Sequence, residues 1–165
     1  MDKALCRVLL LLLVQFVLRS EAFQECDGIE NGITDFSVEV LDCEYIQLCV
    51  VPVGTTLYIK TTFVPQQNLK ELKGRVSSKM GVLLVPKGPS RFVCANSISK
   101  EAGHCDKTEG LIQGRTYVYI EEFPIRSQYR ELQMMIRVEL YTGYRPSNNN
   151  TILCYEIPLL VTSES

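Results

Sequence analysis

Seven cysteines and a single histidine are the side chains with the most chemistry to offer in this 165-residue chain. Cysteine thiols bind metals, attack carbonyl carbons or form disulfides, and spacing and compartment decide which. A zinc site needs closely spaced C-x-x-C pairs or several histidines, and the sequence has neither. A Cys–His or Ser–His–Asp nucleophile system has only His104 to recruit, inside Ala102-Gly103-His104-Cys105, and no G-x-S-x-G motif accompanies it. Glu121-Glu122 invites comparison with paired acid–base carboxylates. Neighbouring residues of a strand point to opposite faces, however, so the two cannot flank one substrate, and they read as the end of a half-exposed strand. No Gly-rich phosphate loop occurs. The expectation is a protein that binds rather than catalyses, with no cofactor and no metal.

The odd cysteine count leads to the N-terminus. Lys3 and Arg7 precede an apolar run from Val8 to Leu18 broken only by Gln15. That run is too short to cross a hydrocarbon layer of ~30 Å as a helix, which argues against a membrane anchor. It has the length of a signal-peptide core, and Ser20 and Ala22 supply the small residues of a cleavage site between Ala22 and Phe23. Residues 1–22 are therefore expected to be a signal peptide. Its removal takes Cys6 away and leaves 143 residues, six cysteines and a net charge of −3. Secretion makes disulfides the default for Cys26, Cys43, Cys49, Cys94, Cys105 and Cys154. Six cysteines allow fifteen pairings, and sequence alone selects none. Loop length favours two local bridges, Cys43 with Cys49 and Cys94 with Cys105, which leaves Cys26 and Cys154 to join the ends.

The elements that position these residues read as strands. From Glu131 to Tyr141, Leu132, Met134, Ile136, Val138 and Leu140 recur at a spacing of two, with Gln133, Arg137 and Glu139 on the other side. Thr56–Phe63 alternates likewise, with Leu57, Ile59 and Phe63 together, and Thr116–Phe123 is β-branched and aromatic. Thr34–Leu41, Lys73–Ser78, Met80–Val85 and Thr151–Val161 are weaker candidates. Turn signals such as Pro52-Val53-Gly54, Lys87-Gly88-Pro89 and Gln113-Gly114 separate them, and no window carries a helical apolar period. About seven strands without helices predict a single all-β domain, a sandwich or small barrel. Asn149-x-Thr151 is a glycosylation sequon in an expected hairpin loop. A net charge of −2 offers no field for nucleic acid. Alternation shows which residues face inward but leaves open whether the interior is filled, since ordinary sandwich sheets pack about 10 Å apart.

Two segments bear on that question. Phe123-Pro124-Ile125-Arg126-Ser127-Gln128-Tyr129 resembles a Leu-Pro-Val-Lys-Ser-Glu-Tyr segment, and Leu153-Cys154-Tyr155-Glu156-Ile157-Pro158 a Phe-Cys-Trp-Glu-Ile-Pro ending. Both belong to the soluble sterol carriers of the Niemann-Pick type C kind, within the MD-two-related lipid-recognition (ML) family. With six cysteines in the family's order, the resemblance spans residues 23–165 and is to a diverged, arthropod-type paralogue. It implies the bridges Cys26–Cys154, Cys43–Cys49 and Cys94–Cys105. It also implies an immunoglobulin-like sandwich of two antiparallel sheets that parts to hold one sterol or acyl chain. The lining it implies comprises Leu57, Ile59, Phe63, Tyr119, Ile125, Tyr129, Met134, Ile136 and Val138. At the mouth the family has Val-Pro-Val-Pro-Phe-Pro where this chain reads Gly81–Pro89, with Leu84 or Pro86 nearest the missing aromatic. Val138 and Tyr155 stand at family Trp positions.

The resemblance thus implies a secreted, monomeric, non-enzymatic sterol carrier that hands its ligand to a membrane-protein acceptor, in extracellular fluid or an endosomal or lysosomal lumen. Two other uses of the same pocket are recognition of microbial lipids in innate immunity and transport of fatty acids or semiochemicals. Lys87, Arg91, Arg126 and Arg130 would form a modest cationic rim for lipid phosphates.

Overall fold

Period-two alternation is what the chain folds by. The structure is a computed structural model that describes residues 23–29, 32–41, 43, 48–99, 103–106 and 108–163. The expected signal peptide lies outside the described residues. Among the described residues twelve strands follow one another: β1 (Gln24–Glu25), β2 (Ile33–Leu41), β3 (Cys49–Pro52), β4 (Thr56–Pro65), β5 (Lys73–Met80), β6 (Leu83–Pro86), β7 (Arg91–Phe92), β8 (Ser97–Ser99), β9 (Gly103–His104), β10 (Tyr117–Pro124), β11 (Gln133–Tyr141) and β12 (Thr151–Thr162). The long ones fall on the runs that alternate. The expected Met80–Val85 strand is instead a hairpin: β5 ends at Met80, Gly81 turns at positive φ, and β6 returns from Leu83.

The strands form two sheets. One runs β1-β12-β11-β5-β6, with β3 beside β12 and β7 beside β5; the other runs β2-β4-β10-β8-β9. Pairing is antiparallel except that β3 lies parallel to β12, from Cys49 opposite Leu159 to Pro52 opposite Thr162. Register fixes which side chains meet. Ile136 lies opposite Ile157 and Ser78, and Val138 opposite Tyr155 and Val76, so the inner faces of β5, β11 and β12 are continuous. On the second sheet Phe63 faces Phe36 and Tyr117, and Leu57 faces Phe123. Met134, Ile136, Val138 and Leu140 are all buried, each contributing roughly 1.5–3 kcal/mol by leaving water.

The outer side of the first sheet carries a ribbon of ion pairs. Arg75 bonds Glu139 at 2.7 Å, Arg137 reaches Glu139 at 3.2 Å and Glu156 at 3.0 Å, and Lys79 holds Glu156 at 2.7 Å. Glu139 takes the outward position that alternation assigns it, yet it is buried beneath its arginines. All three expected disulfides form, with Cα–Cα distances of 5.4 Å for Cys26–Cys154, 5.3 Å for Cys43–Cys49 and 5.2 Å for Cys94–Cys105. Asn149 is exposed in the turn between β11 and β12.

Candidate functional site

The candidate site is the interior between the two sheets, and its residues come from strands that alternate in phase. β4 supplies Leu57, Ile59 and Phe63, β10 supplies Tyr119, and β11 supplies Met134, Ile136 and Val138. All seven are buried, as are Ile125 and Tyr129 beyond the end of β10. Ile125 is fixed by its backbone: its N–H donates to Thr55 O at 2.8 Å, and Gly54 N–H donates to its carbonyl at 2.8 Å. Tyr129 closes a short 3-10 turn, Ser127–Tyr129, and its ring stacks on Phe123 with centroids 5.9 Å apart. The two residues therefore sit together beyond the end of β10, beside Phe123.

Leu84 departs from this set. It lies opposite Lys79, whose side chain is on the outer face, whereas Leu83 pairs with Met80 and Val85 with inward-facing Ser78. Cross-strand partners share a face, so Leu83 and Val85 replace Leu84 as the β6 residues on the inward-facing side. The β5–β6 hairpin is apolar and exposed, with Val82 at 103% of its reference exposure.

The interior between the sheets is not purely apolar. Tyr155 stands at a family Trp position, and its hydroxyl shares a 2.6 Å hydrogen bond with Thr61 from the opposite sheet. An indole cannot reproduce this link as donor and acceptor. Burial pushes the Tyr155 hydroxyl up from its ordinary value, against the effect of that bond. Tyr119 reaches across in the same way, toward Gly74 of β5: a Cβ at Gly74 would lie 3.0 Å from Tyr119 Cζ and closer still to its oxygen. The Tyr119 hydroxyl donates to Glu121 Oε2 at 2.7 Å, and its own pKa is raised by burial first and by the Glu121 carboxylate second.

Glu121 was expected at the end of a half-exposed strand and is instead 5% exposed. Adjacent Glu122 is exposed, so the pair does split across the strand as alternation requires, with Glu121 taking the inward side. The signal was the phase of β10: Tyr117, Tyr119 and Phe123 are the inward positions, and Glu121 shares their parity.

Lys87 stands at the rim, half-buried, with Nζ 5.7 Å from the centroid of the Phe123 ring. Desolvation lowers its pKa, the Glu121 charge acts to raise it, and Arg91 and Arg126 add to the lowering. Three of the expected rim cations are thus neighbours in space, while exposed Arg130 follows the Ser127–Tyr129 turn. His104 is exposed on β9. Among the described residues no group of three or more His, Cys, Asp or Glu is placed to hold a metal ion.

An all-β sandwich with three bridges and paired inward faces defines the class: an immunoglobulin-like fold. Solved structures align with it. A Niemann-Pick type C2 protein from the Japanese carpenter ant aligns with a TM-score of 0.58 and 18% identity, over 85% of this chain and 98% of that one. The C-terminal domain of Wzt aligns with a TM-score of 0.53 and 12% identity, over 87% and 78%. Chicken MD-1, solved in complex with lipid IVa, aligns with a TM-score of 0.45 and 18% identity, over 82% and 85%. No curated protein matches significantly in sequence. The family model of the ML domain matches residues 20–161, and the chain belongs to that family.

Proposed function

We propose that this chain is a secreted carrier that holds one sterol or related hydrophobic lipid between its two sheets and releases it to a membrane-protein acceptor. Membership of the ML family supports lipid binding as the general activity. The observation that carries the reading further is the matched pair of inward faces: Leu57, Ile59 and Phe63 on one sheet, Met134, Ile136 and Val138 on the other. A rigid apolar plate slid between them leaves water on both faces, a gain of roughly 25 cal/mol per Å². Ile125 and Tyr129 guard the end of the gap, and Met134 is an adaptable packing partner for a ligand of uncertain outline. Export rests on residues 1–22, and the six bridged cysteines are consistent with an oxidising compartment.

The rim cations Lys87, Arg91 and Arg126 favour a second reading, in which the ligand is an anionic microbial lipid recognised in innate immunity. Parallel titration of delipidated protein with cholesterol, oleate and lipid A separates the two. The carrier reading expects saturable cholesterol uptake that Ile125→Phe and Tyr129→Ala both weaken while near-ultraviolet circular dichroism stays native. Lipid A uptake without cholesterol uptake favours the second reading, and unchanged affinity in both variants puts the pocket elsewhere.

A further inference from the structure

Four consecutive apolar side chains stand in water at one projection of the fold. Val82, Leu83, Leu84 and Val85 follow one another through the turn and return strand of the β5–β6 hairpin, and all are exposed. Register puts Leu84 on the outer face beside Lys79, and Leu83 and Val85 on the inward side beside Met80 and Ser78. Leu83 is nevertheless 57% exposed, so the second sheet does not cover the hairpin, which is apolar on both faces and at its tip. Single exposed apolar residues are ordinary, whereas a contiguous run marks an interaction surface. A flat protein partner buries one face of such a strand and leaves the other wet; a lipid surface surrounds the tip on all sides.

Charge lies where that partner needs it. Met135 stands opposite Lys79, so the start of β11 and the Ser127–Tyr129 turn before it lie at the same end of the sheet as Gly81. Exposed Arg126 and Arg130 flank that turn, and Lys87, which follows β6, lies close enough to feel the Arg126 charge. Against these three cations stand the exposed acids Glu122 and Glu131, in a chain whose net charge is negative. From Val82 to Lys87 the chain runs roughly 16 Å at about 3.3 Å per residue, so the tip reaches the acyl boundary with Lys87 still outside the hydrocarbon. β6 ends the sheet order, and the unpaired backbone of an edge strand keeps such insertion shallow.

We propose that the β5–β6 hairpin is a lipid-surface anchor: Val82 and the leucines beside it enter the headgroup–acyl boundary of a bilayer, while Lys87, Arg126 and Arg130 meet its anionic phosphates. The inference goes beyond the carrier reading and does not depend on it, since it needs no ligand between the sheets.

The chain has no tryptophan, so Val82→Trp in the mature protein places a single reporter at the tip. Tyr144→Trp places one at an exposed position after β11, at the Lys73 end of the sheet and away from the hairpin. Vesicles of equimolar phosphatidylcholine and phosphatidylglycerol should shift the Val82→Trp emission to the blue, and brominated acyl chains should quench it; Tyr144→Trp should show neither effect. Val82→Glu should lower flotation with these vesicles at least ~10-fold while near-ultraviolet circular dichroism stays native. Vesicles of phosphatidylcholine alone should hold the wild type several-fold more weakly. Val82→Trp emission that ignores both kinds of vesicle overturns the proposal, as does unchanged flotation of Val82→Glu. A blue shift without vesicles that grows with protein concentration, together with a dimer mass in light scattering, assigns the hairpin to a second copy and overturns it too. Cholesterol uptake without vesicle binding overturns this proposal alone. Vesicle binding without uptake of any lipid upholds it and overturns the carrier reading.

Discussion

Replacing Gly74 by alanine perturbs the packing between the sheets at a place where the cost follows from geometry. The new Cβ would lie 3.0 Å from Tyr119 Cζ and closer still to its oxygen. Ordinary carbon contacts sit near 3.5–4.0 Å, so the ring must retreat by roughly 1 Å or more. Tyr119 is fully buried, and retreat breaks its 2.7 Å bond to Glu121. Overpacking costs about 1–3 kcal/mol and the lost bond to a charged acceptor about 1.5–3 kcal/mol, together about 2.5–6 kcal/mol. At about 4 °C per kcal/mol for a domain of this size, Tm falls by roughly 10–25 °C. Eight tyrosines and no tryptophan make near-ultraviolet circular dichroism a direct melting probe. A second arm isolates the contact. Tyr119→Phe removes the nearest atom, so Gly74→Ala should cost at least ~1 kcal/mol less in that background. A Tm within ~3 °C of wild type, or a strictly additive cycle, refutes the reasoning.

Three other outcomes follow from the structure. Cys26→Ser with Cys154→Ser opens a loop with a sequence separation of 128, worth roughly 5 kcal/mol in the chain-entropy model, which a urea titration reads as a lower midpoint. Burial raises the Glu156 pKa, but bonds from Lys79 and Arg137 outweigh it and hold the carboxyl below its reference value of 4.5. Its contribution is therefore present above pH 4.5 and lost as pH falls through the depressed folded value, and Glu156→Gln should flatten that acid limb of the stability profile. Expression in a eukaryotic secretory system should give a glycoform whose mobility shift Asn149→Gln abolishes; an identical mobility in the variant contradicts use of the exposed sequon.

The strands were legible because their inward residues repeat at two: Leu132–Leu140 announces β11, and Leu57–Phe63 announces β4. Short edge pieces such as β1, β7 and β9 were not, since two residues carry no period and are placed by their neighbours' hydrogen bonds. Met80–Val85 misled because an apolar run conceals a turn when the turning residue, Gly81, is followed at once by exposed Val82. Leu84 misled for a related reason, as the hairpin resets the phase and gives the inward-facing side to Leu83 and Val85. Glu121 could have been found: its parity with Tyr119 was in the sequence, and only the habit of reading glutamate as exposed concealed it. The bonds Thr61–Tyr155 and Arg75–Glu139 lay out of reach, because each joins strands far apart in the chain.

The central claim is that one lipid resides between the sheets, and native mass spectrometry of the mature protein tests it most directly. Delipidated protein mixed with cholesterol should gain the mass of one molecule per chain, and Ile125→Phe should lose most of that gain while remaining folded. A spectrum that stays at the apo mass with cholesterol, C18 alcohol and oleate alike contradicts the account.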